Sequence, residues 1–326
     1  MRRRDFITLV GGAAAGWPLP AHAQEPLPAV GFLHPASPDD FPQNVDGFQR
    51  GLNDTGFTEG QNVTIEYRWA RGEYDRLPGL ALDLVQRGVR VILAGGGEVA
   101  ALAARAATST TPILINTSSD PVKSGLVASF NRPGGNVTGL MTATSILEAK
   151  KFGLLCEMLP SARVIAMLIN PNYPQHAVDA AEVQSTAETI GRQLLVLKAD
   201  SPQAIESAIA SLVAQRADAL LVEGDPFLEG RNQQIITLTT RQGVPAIYNF
   251  RESVVRGGLM SYGVNISNNY RQLGVYAGRI LKGESAADLP IIFPAVFDFG
   301  INLVTAKALG LQVPPMLLAR ADHVIE

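Results

Sequence analysis

Cysteine is almost missing from this chain: 326 residues contain one, Cys156. No disulfide can form within a single copy, so the fold must rest on packing alone. Histidine is scarce too, at four, and one of these is His22 near the N-terminus. Three scattered histidines and one cysteine make no metal-ligand spacing and no Ser/Cys–His pairing, and no Gly-x-Ser-x-Gly elbow occurs. The expectation is no metal, no cofactor and no catalytic residue. No run of about twenty apolar residues is present, which argues against a membrane-spanning helix. Charge is thin as well: 17% of residues are charged, the formal net charge is −3, and no Lys/Arg block follows residue 4. A nucleic-acid partner would require a basic stripe.

What the chain does have begins with an address. Arg2-Arg3-Arg4 precede an apolar stretch from Phe6 to Pro20, and Ala21-His22-Ala23 supplies a small-x-small cleavage pattern. Arg3-Arg4-Asp5-Phe6-Ile7 resembles the twin-arginine export motif, although the general secretory route also fits. Removal of residues 1–23 takes away three arginines and one aspartate, a net +2, and leaves −5. Cys156 lies far from that cleavage point, so no lipid-anchor cysteine is expected, and the exported chain reads as soluble, periplasmic and monomeric. On a helix predicted after Lys150, Cys156 reads as a small core residue.

The rest of the chain contains one half-domain twice. Thr111-Pro112-Ile113-Leu114-Ile115-Asn116 returns as Val244-Pro245-Ala246-Ile247-Tyr248-Asn249. The preceding apolar runs repeat in order: Val30–Leu33 with Val164–Ile169, Val63–Tyr67 with Leu194–Leu197, and Val89–Ala94 with Ala219–Val222. Helix-length stretches separate them, among them 77–86 and 98–107 with apolar residues at helical spacing. Continuous apolar strands alternating with helices indicate a parallel sheet covered on both faces. The predicted fold is therefore α/β, two similar doubly wound parallel-sheet lobes joined by crossover strands. Lobe one is expected over 24–140 plus about 264–292, and lobe two over 141–263 plus about 293–326. In the tail, 269–282 reads as a helix and 290–296 as a strand that its prolines confine to an edge or crossover.

In open parallel sheets, ligands gather at the carboxyl ends of the strands, and a cleft between two lobes can hold a small molecule. Lobe one offers Gly96 and Gly97 at the start of a helix, where backbone N–H groups can meet an anion, with the hydroxyls of Thr117, Ser118 and Ser119 at the next strand end. The bland reading of both is a tight turn and a helix cap. Lobe two offers Asn172 and Tyr173, then Glu223 and Asp225 for an ammonium group, with Phe227 and Phe250 as flat walls. Donors on one side and carboxylates on the other suggest an amino acid or another organic carboxylate.

Several segments then carry a family resemblance across the chain beyond its signal: Glu59-Gly60-Gln61-Asn62-Val63, Tyr67-Arg68-Trp69-Ala70, Asp120-Pro121-Val122, 131–139 (Asn-Arg-Pro-Gly-Gly-Asn-Val-Thr-Gly), 306–311 and 317–322. The sequence resembles the periplasmic substrate-binding proteins of ABC transporters with the type I periplasmic-binding fold, in the branch that includes tryptophan- and tyrosine-binding lipoproteins. The resemblance implies crossovers near 138–141, 262–264 and 290–293, closure of the lobes on a ligand, and docking on an ABC permease in the inner membrane. A ligand sensor of the same fold is the alternative; a hydrolase or lyase on this scaffold is a remote one, since fold alone does not decide activity.

Overall fold

The computed structural model describes residues 26–326; the expected signal segment falls outside them. Lobe one is built from β1 (Ala29–His34), α1 (Pro42–Asp54), β2 (Thr64–Trp69), α2 (Leu77–Gln86), β3 (Val91–Ala94), α3 (Glu98–Ala107), β4 (Ile113–Thr117) and β5 (Val137–Met141). Its five strands run in the order β2-β1-β3-β4-β5, all parallel. Lobe two continues with α4 (Thr144–Met158), β6 (Val164–Ile169), α5 (His176–Thr189), β7 (Gln193–Lys198), α6 (Pro202–Ala214), β8 (Ala219–Val222), α7 (Pro226–Gly230), α8 (Asn232–Arg241), β9 (Ala246–Tyr248), α9 (Arg251–Val255) and β10 (Met260–Gly263). The order β7-β6-β8-β9-β10 repeats that of lobe one strand for strand. The repeat seen in the residues is thus a repeat of topology.

The central strands are apolar throughout because both faces are covered. Val91–Ala94 and Ala219–Val222 are buried at every position. Each lobe has a hydrophobic cluster on either side of its sheet. After β10 the chain returns to lobe one as α10 (Ile266–Leu281), which packs along α1. Their axes approach closely because glycines face each other. A Cβ on Gly274 would collide with the Phe48 carbonyl, and one on Gly51 with the Arg271 carbonyl. Gly274→Ala is therefore expected to cost about 1–3 kcal/mol, read as a lower urea midpoint; an unchanged midpoint would mean that the helices can part freely.

Three segments join the lobes. The first leaves β5 through Thr142 and Ala143, with Ala143 in the left-handed region at φ 56°. An L-residue there costs roughly 1–2 kcal/mol, and Thr142 holds the bend by donating both its N–H (2.7 Å) and its hydroxyl (3.0 Å) to the Thr117 carbonyl. The second runs from β10 into α10, capped by Asn265, whose Oδ1 accepts the Asn268 N–H at 3.0 Å. The third, 290–297, differs from the expected strand. It makes a single parallel bridge, Leu140 with Ile292, because Pro290 and Pro294 lack the N–H groups a longer ladder requires. It leads into β11 (Asp298–Asn302), α11 (Leu303–Ala308), α12 (Pro315–Leu318) and β12 (His323–Ile325). These extend the second sheet, with β11 antiparallel to β10. No helix among the described residues is long and apolar enough to cross a membrane.

Candidate ligand-binding site

The carboxyl ends of the two sheets face each other, and side chains from both lobes enclose a narrow cavity of about 50 Å³. A water occupies on the order of 10–15 Å³ of such space, so the shut cavity holds a few waters. Lobe one contributes Asn44 from α1, Gly96 and Gly97 from the β3–α3 turn, Asn116 and Ser118 from the end of β4, and Tyr270 from α10. Lobe two contributes Thr144, Tyr173, Asp225, Glu229 and Phe250.

His34 and Tyr270 form one wall. The His34 Nδ1 accepts the Ala36 N–H at 3.2 Å, which leaves Nε2, 3.1 Å from the Tyr270 hydroxyl, as the protonated nitrogen. Burial holds this imidazole down at about 3, so His34 is neutral. Beside it, the Oδ1 atoms of Asn44 and Asn116 have no hydrogen-bond partner although both residues are only 2% exposed.

Gly96 and Gly97 turn with φ of 78° and 90°, conformations that glycine adopts without strain. They deliver Glu98 to the first turn of α3, and here the structure reassigns the expected anion site. Thr117, Ser118 and Ser119 are not free donors, because their hydroxyls all go to the Glu98 carboxylate. Ser118 Oγ donates to Oε2 at 2.5 Å, Ser119 Oγ to Oε1 at 2.7 Å, and Thr117 Oγ1 also to Oε1. The Ser119 N–H adds a bond at 2.8 Å. Burial opposes the charge on Glu98, but the Ser118, Thr117 and Ser119 hydrogen bonds outweigh it and hold the carboxyl below the usual range. The three hydroxyls and the Ser119 N–H thus bind an anion that the chain itself supplies.

Two tyrosines cross the cleft in opposite directions. Tyr173 of lobe two donates to Glu98 Oε2 at 2.8 Å and lies 2.5 Å from the Ser118 hydroxyl. Tyr74 of lobe one donates to Asp225 Oδ2 at 2.6 Å and accepts the Phe227 N–H at 3.0 Å. Asp225 also caps α7 through the Leu228 N–H and receives the Asn170 amide. These contacts exist only with the lobes shut.

Beneath the lobe-two wall lies a buried polar chain. Lys151 donates to Glu148 Oε1 at 2.9 Å, to the Val222 carbonyl at 3.1 Å and to Asn249 Oδ1. Asn249 in turn donates to Glu229 Oε1 at 2.5 Å and so positions it on the cavity. Burial pushes Glu223 up to about 10, Asp179 to about 8, Glu229 to about 7 and Asp225 to about 6, with neighbouring carboxylates adding to the first two. Carboxyls raised in this way keep protons in the folded state that the unfolded chain releases near pH 4. Their stabilisation is complete below that and is lost as pH rises through the folded values. His34, lowered, opposes this below about pH 6.5, but with one proton against four. The ligand-free protein is therefore expected to melt at falling temperature from about pH 5 to about pH 8, checked by calorimetry across that range. A flat profile would mean the four groups titrate as in the unfolded chain.

Of the expected contact residues, the structure gathers Gly96, Gly97, Ser118, Tyr173, Asp225 and Phe250 on the cavity. Thr117 and Ser119 stand behind it on Glu98. Asn172 is exposed, with its N–H on Asn170 Oδ1. Glu223 is buried under the wall, accepting the Asn170 N–H at 2.9 Å. Phe227 fills the lobe-two core and meets Gly72 across the cleft. Asn44, Asn116, Glu229 and Tyr270 were not foreseen. Asn116 had a signal, since it closes the repeated segment as Asn249 does. Cys156 is half-buried against the lobe-two core, and burial raises its thiol.

Two sheets that share a five-strand order, closing face to face on a shared cavity, define a two-lobed small-molecule binding protein. The chain belongs to the ABC transporter substrate-binding protein family, whose model matches residues 29–325. It is thus a binding component and not an enzyme. It is 28% identical over 270 residues, 82% of this chain and 76% of the other, to a tyrosine-binding protein of Clostridioides difficile. Among solved structures, a conserved domain protein from Vibrio cholerae superposes with a TM-score of 0.83 at 25% identity, covering 92% of this chain and all of that one. An ABC domain from Streptococcus pneumonia in complex with L-Trp has the same fold, with a TM-score of 0.81 at 23% identity, covering 92% and 100%.

Proposed function

We propose that this protein captures a small amino acid-type ligand in the periplasm and hands it to the permease of an ABC importer. The observation that carries the reading is the cavity closed by both lobes, with the Asp225 and Glu229 carboxylates on one side and Phe250 and Tyr270 as flat walls. Buried carboxylates need a cationic partner, and the ammonium group of an amino acid is one. Relatives described as binding tyrosine and L-Trp support the same class. The ligand enters the open form and the lobes close around it. Closure then presents a surface formed by both lobes to the permease, so that only loaded protein docks.

A thermal-shift screen of the amino acids tests this. A ligand at a hundred times its Kd stabilises the folded state by about 2.7 kcal/mol, which raises the melting temperature by roughly 3–8 °C for a chain of this size. At least one amino acid is expected to do so saturably. A panel without any such shift would defeat the reading.

A further inference from the structure

We infer that Ala143 is the pivot of the first crossover and a spring wound in the shut state, so that its backbone relaxes as the lobes part and speeds ligand release. This rests on the reading above of capture by closure and adds a device to it.

The pivot follows from where the chain is anchored on either side. Toward lobe one, the Met141 carbonyl accepts the Asn269 amide at 3.3 Å, and Thr142 is pinned through its N–H and its hydroxyl to the Thr117 carbonyl. Toward lobe two, the Ala143 carbonyl accepts the Leu147 N–H at 3.1 Å and so belongs to the first turn of α4. That turn moves with lobe two, because Ser145 donates to Asp179 at 3.1 Å and Glu148 accepts the Gly224 N–H at 3.0 Å. Between the two sets of anchors lie only ψ of Thr142 and φ of Ala143. The third crossover has more slack: it is bridged at Ile292, and residues 293–297 then run to β11 outside any strand. Rotation of one lobe against the other therefore has to turn the backbone at Ala143.

That torsion is also the strained one. Ala143 is held at φ 56° and ψ 17°, in the left-handed region that an L-residue leaves when it is free to. Among the described residues two other non-glycine positions share it, Arg71 and Arg216, and each lies in a turn within a single lobe. Strain of this kind persists only where the surroundings over-determine the backbone. At Ala143 the surroundings include the contacts that hold the lobes shut, Tyr74 on Asp225 and Tyr173 on Glu98. Once these part, φ of Ala143 can return to negative values, and the strain released favours the open form.

Glycine occupies the left-handed region without strain, so Ala143→Gly unwinds the spring and leaves the shut backbone in place. Release of the amino acid that gives the largest thermal shift, followed by stopped-flow displacement, is expected to slow by about five- to tenfold. Arg216→Gly removes the same penalty inside lobe two and is expected to leave release at the parent's rate. A second measurement needs no ligand. Ala143→Gly added to the Tyr74→Phe/Tyr173→Phe protein should bring its radius of gyration in solution scattering back toward the parent's. The inference falls, while closure and capture stand, if Ala143→Gly leaves release and that radius unchanged or speeds release. It falls equally if Arg216→Gly slows release as much. If the doubly substituted protein has the parent's radius and no amino acid binds, closure and capture fall and the spring falls with them.

Discussion

Replacing Lys151 with methionine is expected to destabilise the fold by about 3–5 kcal/mol, the range for removing one partner of a buried ion pair. Its ammonium is wholly buried together with the Glu148 carboxylate. Loss of the ammonium leaves the Glu148 carboxylate, already without a partner at Oε2, with only the Gly224 N–H on Oε1 and no counter-charge. The urea midpoint should fall accordingly, and Glu148→Gln in the same chain should recover part of the loss by removing the unpaired charge. A Lys151→Met protein as stable as the parent would show that the Glu148 carboxyl is already protonated. Binding should weaken as well, since Glu229 reaches the cavity through Asn249, which Lys151 holds.

The second large effect concerns closure. Tyr74→Phe with Tyr173→Phe removes one hydroxyl in each direction across the cleft and leaves each ring in place. Both hydroxyls donate to buried carboxylates, Asp225 and Glu98. Hydrogen bonds to charged groups contribute about 1.5–3 kcal/mol each, so the closed state should lose about 3–6 kcal/mol relative to the open one. Within either lobe little changes, since Glu98 keeps its Thr117, Ser118 and Ser119 donors and Asp225 its cap on Leu228. Ligand affinity should fall by at least tenfold, through faster release, while thermal unfolding of the ligand-free lobes shifts little. Unchanged release would assign the closing force to the ligand alone.

The architecture was legible because its physical cause acts on consecutive residues. A strand buried on both faces must be apolar at every position, so Val91–Ala94 and Ala219–Val222 stand out from their surroundings. Likewise α2 and α3 span 77–86 and 98–107, where the apolar spacing places them. The segment 290–297 misled because its apolar residues suit a strand, whereas its prolines limit the pairing to one bridge. The site was legible only as a set of loops. Which side chains meet there depends on strand order and helix placement. Glu98 finds Ser118 because β3 and β4 are neighbours. His34 meets Tyr270 across 236 positions because α10 returns to pack on lobe one. Polarity alone placed donors in one lobe and carboxylates in the other; contact geometry showed that those donors already hold a carboxylate of their own.

The account turns on two lobes shutting over a small ligand, and solution scattering reads that directly. With the amino acid that stabilises the protein most, the radius of gyration of the Tyr74→Phe/Tyr173→Phe variant should start larger than that of the parent and shrink to the parent's value at saturation. A radius that neither the substitutions nor the ligand alters would contradict closure as the means of capture.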